Sequence, residues 1–294
     1  MAYKKASVNA EDRKEKMNSI IEMLKNGVNE IFTSENYAEF LRVSNLFHDY
    51  SLNNLLLIFV QTNGMATQVA GYKTWQSMGR QVRKGEKAIK IFCPVFIKKT
   101  EENLLGETEE EQILTSFRLG NVFDIKQTDG KELPTLKVEE LTDDDPIYDS
   151  LIEKLIKASP VPVEFIDSIE GGAKGYYSPS KKHIKVLANM SRSQRAKTLV
   201  HEIAHSMLDS KEQEKVDSHT SEVRAESIAF CVCNALGIDT KEYSFNYIAG
   251  WSTGKDGKEL KETLQQIKET ASKILEKVNP DWTKENKQEL AEAC

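Results

Sequence analysis

Residues 201–205 read His-Glu-Ile-Ala-His. Two histidines four apart on a helix stand one above the other and can reach the same metal ion. The glutamate between them, one step round the helix, stands where it can take a proton from water. Further along, Glu222 and Glu226 are also four apart, on a stripe that continues through Ala229, Phe230 and Cys233. Carboxylates on a core-facing stripe need a cation or hydrogen-bond donors, because an unpaired buried charge is costly. The set predicts a His2Glu centre: His201 and His205 as ligands, Glu202 as general base, and Glu222 or Glu226 as the carboxylate. Zn2+ suits these donors, and other divalent ions fit the same chemistry. The alternative for the two glutamates is a solvated helix face near a terminus. Tyr176, Tyr177, His183 and His219 are candidates for a further donor to the transition state, each with a structural role as the alternative.

A second constellation lies between Tyr72 and Lys99. Lys73, Arg80, Arg83, Lys84, Lys87, Lys90, Lys98 and Lys99 are opposed there only by Glu86. So one-sided a block suits a polyanion; otherwise it is a solvated basic face. Single-stranded nucleic acid needs cations for its phosphates and aromatic faces for its bases. Tyr72 and Trp75 stand among Lys73, Arg80, Arg83, Lys84 and Lys87, which is that mixture, although a lone Trp also suits a core. His48, Tyr50, Asn53 and Asn54 open an apolar helix and read as packing and capping residues.

Helices and short strands must position these groups. Apolar spacing predicts helices over Lys14–Phe32, from Ser34 through Val43, and over Ser51–Gln61. β-like runs follow at Gln68–Gly71, Ala88–Phe96 and Ile113–Asp124. Glu101, Glu102, Glu107, Glu109, Glu110 and Glu111 mark a solvated tip between the last two. Later come a helix over Ile147–Ala158, a strand over Val161–Asp167, a glycine-rich turn into Tyr176–Tyr177, and a strand over His183–Leu187. Ser191 and Gln194 form a capping box for the helix that carries His201–His205. The next helix spans about Ser221 to Leu236 and stops at Gly237; a long amphipathic one covers Leu260 to Val278.

A length of 294 residues favours two domains, and 39% hydrophobic with 29% charged residues suits soluble cores. The turn-forming, acidic stretch 127–146 is the expected linker between a first domain at 1–126 and a second at 147–294. The longest apolar run, Leu52–Val60, is too short to cross a bilayer, so no membrane partner is expected. The first residues lack the apolar core of a secretory signal, which points to the cytoplasm. Cys93, Cys231, Cys233 and Cys294 then read as free thiols.

The string HEIAH with a later AESIAF segment resembles ImmA/IrrE-type metallopeptidase domains. That resemblance places the third ligand at Glu226, with Glu222 beside it or as the alternative ligand. More narrowly, EVRAESIAFCVCNALGIDTKEYSFNYIAGW resembles the peptidase half of ArdC-type antirestriction proteins of plasmids and conjugative elements. YSLNNLLLIFVQ (50–61), GYKTWQSMGRQVRKGEKAIKIFCPV (71–95) and NVFDIKQT (121–128) resemble the ArdC-type N-terminal domain. The resemblance covers about residues 15–255. It implies an α+β fold in two domains, single-stranded DNA on the first and a zincin-like metal centre on the second. It also implies protection of mobile DNA from restriction, and a protein substrate the sequence does not name. Two other functions remain open: a DNA-coating protein whose metal is structural, and a regulatory protease that cleaves a repressor. In zincins the edge strand that pairs with substrate lies just before the HExxH helix, which here would be His183–Leu187.

Overall fold

The computed structural model describes residues 10–47, 49–102, 108–132, 144–208, 217–241, 243, 245–246 and 248–280. His48, positions 103–107 of the acidic tip, positions 133–143 of the expected linker, and Cys294 lie outside the described residues. The architecture is mixed α and β, in two compact units. One takes the described residues of 1–27 and 53–133; the other takes those of 28–52 and 134–287. Residues 28–52, placed with the N-terminal domain on sequence, therefore pack in the second unit.

In the first unit, helix α1 (Ala10–Ile31, its residues up to Gly27) and helix α3 (Leu52–Thr62, from Asn53) accompany a three-stranded antiparallel sheet. Its strands are β1 (Val69–Gly71), β3 (Ile89–Glu102) and β4 (Thr108–Asp124), in the order β1-β4-β3. Ile89, Ile91 and Cys93 alternate inward from β3, opposite Val122, Gly120 and Arg118 of β4, and the three are buried. Gly120 is required at that crossing: a Cβ there would lie 2.4 Å from Cys93 Sγ. Because β3 is an edge strand, its outer backbone groups need other partners. Asn54 and Gln61, seven apart on α3, supply them. Asn54 donates to the Phe92 carbonyl (2.9 Å) and accepts from its N–H (2.8 Å); Gln61 does the same at Lys90 (2.9 and 2.8 Å). The sequence reading had assigned Asn54 no more than packing or capping. The hairpin also runs further than expected: Glu101 pairs with Glu109 and Thr100 with Glu110, so part of the acidic tip is strand. Antiparallel pairing propagates along the backbone whatever the side chains carry.

A short helix, α4 (Tyr72–Ser77), follows β1 directly; β2 (Arg80–Val82) then pairs with β5 (Thr128–Gly130). Strand β5 falls in the expected linker, so residues 128–130 belong to the first unit's sheet structure instead.

The second unit holds α2 (Ser34–Leu46), α5 (Ile147–Ala158), α6 (Arg192–Leu208), α7 (Ser218–Ala235), α8 (Ile248–Ser252) and α9 (Gly257–Val278). Its small sheet has the order β6-β8-β7, from β6 (Val163–Ile166), β7 (Gly175–Ser178) and β8 (His183–Leu187). β8 runs parallel to β6 and antiparallel to β7. The strand directly before the HEIAH helix is thus central, and the edges are β6 and β7. Helix α7 is clamped from several sides. Tyr37 of α2 bonds Ser227 at 2.9 Å, Asn45 donates to the Cys231 carbonyl at 2.7 Å, and α9 packs along it. No described helix is long and apolar enough to cross a membrane.

Candidate metal centre and nucleic-acid interface

Helix α6 starts where Ser191 Oγ accepts from the Gln194 N–H at 3.3 Å. The expected capping box is only half formed, because the Gln194 side chain instead meets Lys174 Nζ (3.0 Å) and Thr198 Oγ1 (3.3 Å). One face of α6 buries Ala196, Leu199, Val200, Ile203 and Ala204, which aims His201 and His205 along its rim. Their Nε2 atoms are 3.1 Å apart. Without a metal such a pair can share a proton, and with both nitrogens deprotonated a cation between them can take both lone pairs.

Helix α7 supplies the carboxylate. Asp217 caps it, accepting from the Thr220 N–H at 2.9 Å and the Thr220 hydroxyl at 2.7 Å, and Trp251 in turn donates to that hydroxyl at 2.9 Å. This start lies three residues before the expected one and sets the phase of the helix. Glu222 then meets His205 Nε2 at 3.3 Å and His201 Nε2 at 3.5 Å. His201, His205 and Glu222 offer ligand atoms all within 4.8 Å of one another. Donors about 2.0–2.1 Å from a tetrahedral ion stand roughly 3.3 Å apart, so these residues fit a divalent metal. Glu226, preferred on the family resemblance, is one turn further along α7 and lines a cleft beside His201 instead. Among the described residues, the cluster with ligand spacing is thus His201, His205 and Glu222, without Glu226. Nor does Glu222 head into the core: its side chain is 59% exposed, reaching the imidazoles from the rim of the helix.

The electrostatics agree with a cation-seeking cluster. Burial resists charging His201, but the hydrogen bond to Glu222 and the carboxylates of Glu202, Glu222 and Glu226 outweigh it, so its proton affinity rises. Hydrogen bonds to both histidines hold Glu222 far below the usual carboxylate range. Glu202 is 7% exposed, and burial raises its pKa against the pull of His201, His205 and the Tyr177 N–H that donates to it.

That N–H belongs to β7, which approaches α6 closely. A Cβ at Gly175 would lie 2.6 Å from Thr198 Cγ2, 3.0 Å from the Lys185 carbonyl and 3.4 Å from Glu202 Cγ. Gly175→Ala should therefore push β7 away from the base and cost about 1–3 kcal/mol. Urea unfolding checks this; an unchanged midpoint would mean that β7 shifts freely. The cleft here, about 290 Å3, is also lined by Lys197 and Tyr243. Neither was singled out on sequence, and Tyr176, Tyr177, His183 and His219 do not line it. Lys197 stands one turn before His201, a spacing that could have flagged it. Tyr243 has no such mark, since it arrives from the loop after α7.

In the first unit the basic block separates into fixed and free groups. Trp75 is fully buried, donates to the Phe123 carbonyl at 2.9 Å, and packs with Ala70 and Val82. It is core and offers no face to a base. Arg80 clamps β5, donating to Thr128 Oγ1 (2.7 Å), the Thr128 carbonyl (3.0 Å) and the Lys131 carbonyl. Its fork is spent on the backbone. Arg83 bonds Glu86 (2.8 Å), Asp129 (3.3 Å) and the Lys126 carbonyl (2.6 Å), and the Glu86 bond raises its pKa. Lys73, Lys84 and Lys87 are exposed, and so is Tyr72, whose hydroxyl meets Gln81.

Residues 10–123 match the family described as the N-terminal domain of anti-restriction factor ArdC. An uncharacterised protein of Bacillus anthracis is 25% identical over 319 residues, covering 92% of this chain; the chain spans only 52% of that relative's length. The crystal structure of the antirestriction protein ArdC from plasmid R388, in metal-free form, superposes with a TM-score of 0.50 at 20% identity. That match covers 79% of this chain and 86% of the other. The Mn(II)-bound form of the same protein gives 0.50 at 19% identity, covering 78% and 85%. Residues 10–123 are thus similar to the ArdC N-terminal domain family, and the fold over most of the chain is similar to that of the solved ArdC protein.

Proposed function

We propose that this is an antirestriction protein of a mobile genetic element, with a metal-dependent peptidase centre in its second unit and a single-stranded-DNA surface in its first. It acts in the cytoplasm, and the chain leaves its first unit after β5, within the expected linker. One observation carries the enzymatic half: His201, His205 and Glu222 converge within ligand distance while the buried Glu202 stands beside them. His201 and His205 through nitrogen, and Glu222 through oxygen, would hold Zn2+ in a zincin-like arrangement. The R388 relative was solved with Mn(II), which makes manganese the alternative ion. When bound, the ion supplies a Lewis acid that polarises a carbonyl and acidifies water. Glu202 takes the proton released as water attacks and returns it to the leaving amine. Lys197 and Tyr243, in the cleft beside it, are placed to donate to the developing oxyanion. Edge strand β7 borders the same cleft, where an extended peptide adds most readily.

Metal titration tests the centre without knowing the substrate. Glu222→Ala should weaken Zn2+ and Mn2+ binding about a hundredfold or more, because it removes a ligand. Glu226→Ala should weaken it by about tenfold at most, as expected of a neighbour. Isothermal titration of the apoprotein reads both. Equal losses, or a larger one for Glu226→Ala, would remove Glu222 from the ligand set.

A further inference from the structure

Outside the metal centre, the most unusual surface of the first unit is the outward face of its three-stranded sheet. On β4, Phe117, Leu119, Asn121 and Phe123 alternate with the buried Val122 and Gly120, so they share the other face. Register adds Phe92 opposite Leu119 and Lys90 opposite Asn121, whose side chains bond each other. Phe117 is 54% exposed, and its ring meets that of Phe92 edge-on with centroids 6.5 Å apart. At the β1 end the face opens into a cleft of about 680 Å3 between Tyr72 and Phe123, with Lys84 on its wall. Rings and cations, exposed at Phe117, Tyr72 and Lys84 and half-buried at Phe92, Phe123 and Lys90, are therefore interleaved along this face.

We infer that this strip is the track for single-stranded DNA, with bases stacked on Phe92, Phe117 and Tyr72 and phosphates along Lys84 and Lys90. The inference rests on the single-strand reading above and moves its centre away from Trp75 and Arg80, which are committed to the fold. Spacing supports the assignment. Outward residues on one strand recur every ~6.8 Å, twice the ~3.4 Å rise of stacked bases. Such a face accepts bases that have parted from each other and rest on side chains. The charge also fits one occupant: between Tyr72 and Lys99 the only acid is Glu86, and Arg83 pairs both with it and with Asp129, the other acid that lines the cleft. A phosphodiester chain satisfies both the lysines and the rings, whereas an apolar protein surface would leave the lysines without counter-charge.

Fluorescence anisotropy with a 15-nucleotide oligothymidylate and an abasic oligomer of equal length tests this on the full chain. Phe117→Ala should weaken oligothymidylate binding roughly tenfold, since one stacked base is lost, and leave abasic binding unchanged. Phe117→Tyr should restore it. Lys90→Gln should weaken both oligomers and reduce the salt slope by about 0.7, the share of one phosphate contact on a single strand. If wild type binds oligothymidylate and Phe117→Ala binds it equally well, the track is wrong while the single-strand reading stands. If wild type binds neither oligomer, both fall. Self-association without DNA that Phe117→Ala abolishes would give the face to a second copy of the chain and overturn the track.

Discussion

Replacing Glu202 by Gln should leave the metal content of the protein unchanged and lower peptide hydrolysis by about two to four orders of magnitude. Glutamine keeps the shape of the side chain, and its amide oxygen can still accept from the Tyr177 N–H, so β7 should hold its place. What disappears is a base that burial has already made a better proton acceptor. The residue is 7% exposed, so solvent cannot readily substitute for it. Emission spectroscopy for bound metal, with mass-spectrometric detection of products from a peptide library, measures the two effects separately. The library should be presented with and without oligonucleotide. Undiminished cleavage would exclude Glu202 as the base. Metal binding by both proteins with cleavage by neither would favour a structural metal in a DNA-coating protein.

Trp75→Ala should be the most destabilising single substitution in the first unit, costing about 3–5 kcal/mol. The indole is fully buried against Ala70 and Val82, with Met78, Phe123 and Ile125 packed around it. Its removal leaves a cavity and also deletes the hydrogen bond to the Phe123 carbonyl. Trp75→Phe fills more of the space and should cost appreciably less. Denaturation in urea followed by circular dichroism gives both values. Oligothymidylate affinity measured where each variant is still folded should match wild type. A selective loss of affinity in a folded Trp75→Phe would return the indole to the interface.

The positions that sequence resolved and those it missed differ in physical kind. HEIAH was readable because helical phase fixes how His201, Glu202 and His205 stand to each other. Glu222 against Glu226 was not, since both lie on the same side of α7. Which one meets the imidazoles depends on how α7 is phased and crosses α6, and Asp217, Thr220 and Trp251 set that together from distant parts of the chain. Composition marked the basic block but could not separate Arg80, spent on β5, from the exposed Lys84. Strand β8 was visible as a strand, yet its central position was not, because strand order is a non-local property. Helix α4 was passed over because six residues give too little periodicity to register.

Asn54 and Gln61 carry one more consequence. By occupying the rail of β3 at residues 90 and 92, they camouflage it as an interior strand, and Pro94, two residues on, has no N–H to offer. A foreign strand therefore finds no template over this stretch, and the protein resists polymerising through it without surrounding it with charge. Losing either amide should appear first as turbidity on storage, well before any ligand-dependent property changes.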